Sequence, residues 1–452
     1  MIVAIAGSSG FVGRALTVHL LTSGHEVVAL GRSASSISTD ARTIDVDVGD
    51  EDATVNALAG VEVAYYLVHS MAAGGTFREV DLQLATSFGR AATKAGVSRI
   101  VYVGALGNSP SSAHLTSRHE VGSALAAAGV PVVELRAAVV FGSGSISFEM
   151  LRYLTERLPA MVCPRWVRTR IQPIALDDLL AYLEQSLHVE PGIYEIGGAD
   201  VTTYREMISA YARVRGLRPR HIVDIPWLTP HLSSYWVDLV TPVDRSVSHA
   251  LIESLVTEVV VVDPEPANRG FSVVPMGVDG ALAAALAQQD EDVACSLFTR
   301  RSGLADGIYC VVVDQPIRPG TEDIVLGDLE TIGGRFRWYG AAPGWIARLV
   351  LGRLVGERLR RHRPAAVVPG ALVDWWRVVQ IGSGELVLRS NGWFPGDAWL
   401  GYRVENGSLR QVAAFRPQGI PGFLYWKLLA PVHGAAFDRM ARRRVRPPTG
   451  PR

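Results

Sequence analysis

His114 and Arg118 stand four residues apart in "SSAHLTSRHE", a spacing that places both on one face of a helix. A histidine exchanges protons near neutral pH, and a guanidinium beside it would lower its pKa by like-charge repulsion and leave much of it neutral. Neutral imidazole still polarises a carbonyl, and an adjacent arginine would bind a ribose or stabilise developing negative charge. The same pair fits equally well a fold that only hydrogen-bonds a cofactor and senses it without reducing anything. A second chemical feature lies at residues 7 to 13, "GSSGFVG". Gly7, Gly10 and Gly13 would allow a tight turn, close backbone approach to a pyrophosphate, and helix packing on a strand. Ser8, Ser9, Phe11 and Val12 complete that loop, whose amides would face phosphates at a helix start.

These residues need a scaffold, and the flanking sequence supplies one. "IVAIA" is the apolar run of a buried parallel strand, the loop follows, and then an amphipathic helix leads into a second strand, "EVVALGRS". That strand ends at Arg32 and Ser33, where an NAD-specific site would place an acid. Arg32 with Ser33 suits a 2′-phosphate instead, so NADP (NADPH) is expected over NAD. "RTIDVDVGDED" reads as a third strand that puts Asp47 and Val48 beside the adenine. "VAYYLVHSM", "RIVYVGALG" and "PVVELRAAVVFG" read as further strands, with helices around residues 76 to 95 and 114 to 128. Val68, His69 and Gly104 fall at strand ends, where open parallel sheets bind ligands. His69 reads as a minor contributor or a structural histidine, and Arg136 as a strand-end orienter or an internally paired arginine. Phe148, Arg152, Trp166 and Trp236 are pocket-lining or core residues. The expected fold is α/β with a doubly wound parallel sheet.

In this order the segments resemble the short-chain dehydrogenase/reductase superfamily, in its extended or atypical, NmrA-like branch. "ELRAAVVFGSGS", "IQPIALDDLLAYLEQSL" and "GIYEIGGADVTTYREMISAYARVRGL" carry the likeness to about residue 290. The resemblance implies a catalytic serine, tyrosine and lysine, none of which is evident. Gly104 and Ala105 occupy the serine's place, and the chain's lysines are Lys94 and Lys427, both remote from the site by the family's geometry. His114 and Arg118 replace the tyrosine and lysine, as in an atypical H-x-x-x-R subgroup. The implied activity is an NADP-dependent reduction of a small apolar carbonyl or enone; the alternative from another class is a non-catalytic NADP(H)-binding regulatory or scaffold protein.

The rest of the 452 residues reads as a second domain, with a boundary near residue 292. Tryptophan-rich strand-like runs, "GIYCVVVDQPI", "ALVDWWRVVQIG", "GELVLRSNGWFPG", "AWLGYRVENG" and "LRQVAAFRPQG", precede a helical end, "LYWKLLAPVHGAAFDRMARRR". This is an α+β pattern over residues 293 to 445, with a frayed tail at 446 to 452. It resembles a domain of unknown function similar to START-like helix-grip folds, which implies an apolar cavity and, as a third reading, a lipid-like ligand carrier. The Gly-Asp step expected before the tryptophan-arginine motif is Gly370-Ala371 here.

Composition narrows the partners. Basic and acidic residues balance at 44 each, which excludes a chain-wide nucleic-acid or membrane footprint and favours a small-molecule ligand. Cys163, Cys295 and Cys310 lack metal-ligand spacing and suit a reducing cytosol. The opening "MIVAIAG" shows no leader, and no membrane span is expected, so a cytoplasmic protein follows, compatible with a homo-oligomer. Arg348 to Arg363 is amphipathic and basic, a solvated helix face or an anionic-surface contact.

Overall fold

The computed structural model describes residues 1–36, 40–70, 76–107, 113–224, 256–305, 307–330, 332, 364, 366–391 and 395–445. Trp236 and the basic stretch 348 to 363 lie outside the described residues, as does the side chain of Trp166. The chain divides into two compact units, Met1–Gln289 and Asp290–Arg452.

The first unit is built on β1 (Ile2–Ala6), α1 (Phe11–Thr22), β2 (Glu26–Gly31), β3 (Arg42–Asp45), α2 (Glu51–Ala57), β4 (Val63–Tyr66), α3 (Phe77–Ala95), β5 (Arg99–Ala105), α4 (Ala113–Ala127) and β6 (Val132–Ala137). With strand Gly192–Glu195, these six strands form one seven-stranded sheet in which every pairing is parallel. From one edge the order is β3, β2, β1, β4, β5, β6 and Gly192–Glu195. Chain direction across the sheet reverses between β1 and β4, and the crevice beyond that switch point is where open α/β sheets take ligands. The strands alternate faces with period two. Val3 and Ile5 pack with Leu16, Leu20 and Leu183 on one side; Ala4 and Ala6 pack with Tyr66, Phe88 and Leu125 on the other. Both faces are covered, which explains why the strands are continuously apolar in sequence.

Several elements are shorter than their sequence patterns. The run read as a third strand stops at Asp45, because Asp50 caps α2 by accepting a hydrogen bond from the Ala53 amide at 3.1 Å. "VAYYLVHSM" is a strand only to Tyr66. "PVVELRAAVVFG" divides into β6 and a two-residue strand, Val140–Phe141, that leaves the main sheet and pairs with Ile174–Ala175. A third apolar cluster then forms beyond the strand ends, where Phe141, Phe148, Met161, Met207 and Leu282 come together.

The second unit is an antiparallel meander. Its sheet runs Gly303–Ala305, Ile308–Pro316, Ser408–Pro417, Gly396–Glu405, Glu385–Ser390, Trp376–Gly382 and Leu372–Val373. "ALVDWWRVVQIG" was expected as one strand, but it folds back at Asp374, whose φ of 58° turns the chain between Val373 and Trp376. Ser383-Gly384 and Asn406-Gly407 both have positive φ at two consecutive positions, the geometry of tight turns that match strand twist. The helix Gly419–Arg444 packs on Ser408–Pro417 and Ile308–Pro316. There Trp426 stacks on Tyr309 at 5.3 Å and on Phe415 at 5.4 Å between ring centroids. Among the described residues no helix is long and apolar enough to cross a membrane, and no group of side chains is arranged to hold a metal ion.

Candidate active site

The loop leaving β1 turns through Gly7 at a φ of +88°, where a Cβ would come within 2.7 Å of the Leu67 carbonyl oxygen. A Cβ on Gly13 would lie 2.2 Å from the Gly7 carbonyl oxygen, so α1 begins pressed against the loop and only glycine fits at either place. The amides of Gly7 and Ser8 donate to the Leu30 carbonyl, at 3.1 and 3.2 Å, and the Ser8 hydroxyl donates to the same oxygen at 3.0 Å. Ser8 is therefore buried structure rather than lining. Gly10 is the N-cap of α1; it offers no side-chain cap, and no acid occupies the first turn. The opening amides of α1 remain available to an anion.

A groove of about 860 Å³ runs along this loop. Gly7, Ser9, Gly10, Phe11, Val12 and Gly13 form one wall, and Arg32, Asp47, Val48, Val68, His69 and Arg118 complete it. Ser33, the neighbour of Arg32, does not line it. Asp47 uses one carboxylate oxygen to accept the Gly49 amide at 2.9 Å, while Asp45 accepts the amide and hydroxyl of Ser35 and is held below the usual carboxylate range by those bonds. Cradle and charge fit a dinucleotide: the glycines leave the space a pyrophosphate needs, and the residue at the β2 end is a cation.

A second cavity, of about 340 Å³, shares Phe11, His69, Arg118, Ser145 and Ser147 with the groove. Its body is apolar, with Leu106, Val139, Leu154 and Ile208 among its walls, and His114 joins His69 and Arg118 at the polar end. Gly104 lines this cavity rather than the groove. Its lack of a side chain has a packing cause, since a Cβ there would come 2.7 Å from Glu134 Oε1. The same carboxylate pairs with Arg136 at 2.7 Å, so Arg136 is an internally paired arginine. Phe148 is core, and Arg152 is bound between Glu149 and Glu156.

At the polar end, α4 brings His114 and Arg118 to one face as their spacing requires. Arg118 donates to the Val103 carbonyl and lies over the Tyr102 ring, 4.9 Å from its centroid; the Tyr102 hydroxyl in turn donates to the Arg118 carbonyl at 2.9 Å. Burial pushes the Tyr102 phenol far above its ordinary range. Burial also lowers His114 from 6.5 to about 3, with His69 and then Arg118 adding to the effect. Desolvation, rather than the guanidinium expected from sequence, is thus the main reason this imidazole is neutral. Its Nδ1 is buried and makes no hydrogen bond among the described residues.

Sequence reasoning missed Asp81. This carboxylate, on α3 and 2% exposed, accepts from His69 Nδ1 at 3.1 Å, from the Ser70 amide at 2.8 Å and from the Ser117 hydroxyl at 3.1 Å. Burial works to raise its pKa, but the bonds from His69 and Ser70 outweigh it and leave the carboxyl below its ordinary value. An acid on the otherwise core-facing side of α3 was the signal available in the sequence.

Comparison with known proteins agrees with this geometry. Residues 7–136 match a family described as NAD(P)H-binding, and residues 315–440 match a protein family of unknown function, DUF2867. Uncharacterised proteins of Mycobacterium tuberculosis and Mycobacterium bovis are 28% identical over 217 residues, 47% of this chain. The match spans 23% of the length of those relatives. Among solved structures, the Thermus thermophilus UDP-glucose 4-epimerase complex with NAD matches 64% of this chain and 99% of its own, with 18% identity and a TM-score of 0.50. The Thermotoga maritima UDP-glucose 4-epimerase with UDP-glucose matches 65% of this chain and 100% of its own at 13% identity and a TM-score of 0.51. The Bordetella bronchiseptica enzyme WbmH in complex with NAD+ matches 64% and 98%, at 15% identity and a TM-score of 0.50. Identities this low show the fold alone: the amino-terminal part is a Rossmann-like α/β fold.

Proposed function

We propose that the first unit is an NADP(H)-dependent oxidoreductase acting on a small apolar carbonyl or enone. The observation that carries this reading is the shared wall of groove and cavity, where His69 and Arg118 face both spaces. When bound, the dinucleotide supplies hydride. The residues of this chain do the rest. Amides at the start of α1 hold the diphosphate, and Arg32 neutralises a 2′-phosphate, the basis for preferring NADP to NAD. The apolar body of the cavity binds the substrate and excludes water, which strengthens every polar contact at its end. Neutral His114 donates a hydrogen bond to the carbonyl oxygen, and Arg118, fixed by Val103 and Tyr102, stabilises the charge that develops there.

The missing serine, tyrosine and lysine favour a second reading, in which NADP(H) is bound as a signal and nothing is reduced. A turnover assay with NADPH and a panel of apolar ketones and enones, read by product mass, separates the two. Product formation that Arg118→Met abolishes supports the enzyme. NADPH binding without product from any member supports the regulatory protein. For residues 293 to 445 we infer a helix-grip, START-like domain; the support is the long helix lying on an antiparallel sheet through an aromatic stack. Cys163, Cys295 and Cys310 form no disulfide among the described residues, which fits a reducing compartment.

A further inference from the structure

Of the two histidines at the polar end, His69 alone lines both the groove and the cavity; His114 lines only the cavity. Their rings are 5.1 Å apart between centroids. His69 is anchored, because its Nδ1 meets the ionised, buried Asp81 at 3.1 Å, and a carboxylate can only accept there. The proton must sit on Nδ1. That leaves Nε2 bare, and this atom is buried with no hydrogen-bond partner among the described residues. An orphaned buried acceptor is costly unless something else satisfies it.

We infer that His69, held by Asp81, is the group that gives and takes the substrate proton, and that His114 is not; the assignment rests on the oxidoreductase reading of the same cleft. In the reductive direction the carbonyl carbon gains the hydride that reduced dinucleotide supplies and the C=O π bond opens. The oxygen takes the proton from Nε2 of His69 in its imidazolium form, which has taken that proton from solvent beforehand; the N–H bonding pair stays on the nitrogen, neutral Nδ1–H imidazole is left, and the products are an alcohol and oxidised dinucleotide. In the oxidative direction Nε2 accepts the alcohol proton while hydride leaves the carbon. Asp81 is a positioning residue: it fixes the tautomer and balances the imidazolium, a role that charge and geometry give to the orienting carboxylate of any such pair. The groups facing His69 are Asp81 from α3, His114 and Arg118 from α4, and the phenols of Tyr66 and Tyr102 that also face Asp81. Burial lowers His69 as it lowers His114, but among the described residues only His69 of the two has a carboxylate bonded to it that works in the opposite direction.

Imidazole nitrogen NMR on the full chain, with and without NADPH, tests the assignment apart from turnover. His69 is expected as the Nδ1–H tautomer at pH 8 and to take up a proton at higher pH than His114, an order that Asp81→Asn reverses or erases. A His69 carrying its proton on Nε2, or a His114 that protonates first, would overturn it. Kinetics supply the second arm. His69→Gln is expected to lower kcat by about 10²–10⁴, and Asp81→Asn to shift the pH profile of kcat. Wild-type kcat in His69→Gln would overturn the inference. A chain that binds NADPH yet reduces nothing in the panel defeats the oxidoreductase reading, whereas the imidazole titration order still decides which histidine carries the proton.

Discussion

Buried charge is handled in opposite ways in the two units. Across the second unit's sheet, Arg416, 3% exposed, reaches Asp397 at 2.8 Å and Asp290 at 3.0 Å, and Arg389 contacts the same two carboxylates at 3.4 and 2.8 Å. Arg444 pairs with Asp328 at 2.9 Å and lies over Tyr402. Each of these cations has an anion, although Arg389 Nε, Arg403 Nε and Arg410 Nε make no hydrogen bond among the described residues. In the cleft of the first unit, Arg118 is held by a carbonyl and an aromatic face, and among the described residues one of its terminal nitrogens makes no hydrogen bond, nor do His69 Nε2 and His114 Nδ1. Paired opposite charges fix a shape. Buried polar atoms left open around a cavity are poised for a ligand, because desolvating them without a partner costs about 1–3 kcal/mol each.

That contrast can be broken by substitution. The largest effect is expected from Arg416→Met, which leaves Arg389 as the one cation shared by Asp397 and Asp290 among the described residues: about 3–5 kcal/mol of stability lost in denaturant unfolding. A loss below about 1 kcal/mol would show that these charges are not paired in the way their distances indicate. Next comes Gly13→Ala, whose Cβ meets the Gly7 carbonyl; calorimetry should show NADPH affinity down by about 100-fold or more, as about 3 kcal/mol of clash and lost phosphate contact implies. Unchanged affinity would mean that the loop does not hold the diphosphate.

Arg32→Ala is expected to weaken NADPH by about tenfold, the loss of one charge-assisted contact, and to leave NADH unaffected. Equal losses for both nucleotides would remove the preference for NADP. The pH dependence of His114 tests the same cleft without a nucleotide. Its folded value, about 3, lies below its ordinary 6.5, so the unfolded chain binds the extra proton between those limits. Stability therefore rises with pH across that window, by about 1.4 kcal/mol per pH unit for this group, and falls as pH drops toward 3. His114→Gln should flatten the acid limb of the stability profile by that slope; an unchanged profile would place His114 in solvent.

Much of the first unit was legible because its signals are local. A β-strand run, glycines at positions 7, 10 and 13, and a helix pattern follow one another within 22 residues, and Gly7 and Gly13 answer contacts only backbone can make. The i,i+4 spacing of His114 and Arg118 was equally readable. Asp81 was missed: the helix pattern sets it on the core-facing side of α3, but its partners His69 and Ser117 reach it only after α3 and α4 pack side by side. Gly104 illustrates the reverse error: at a strand end it suggests cofactor contact, whereas Glu134, distant from it in the folding pattern of the sequence, dictates it. In the second unit, "VDWWRV" carries strand propensity throughout, and the reversal at Asp374 depends on its pairing partner rather than on a glycine or proline.

The account stands on dinucleotide binding by the β1–α1 loop. Titrating the full chain with NADPH and NADH by isothermal calorimetry tests it most directly. One site per chain, with NADPH bound about tenfold more tightly than NADH, is the predicted result; no heat with either nucleotide at millimolar concentration would contradict it.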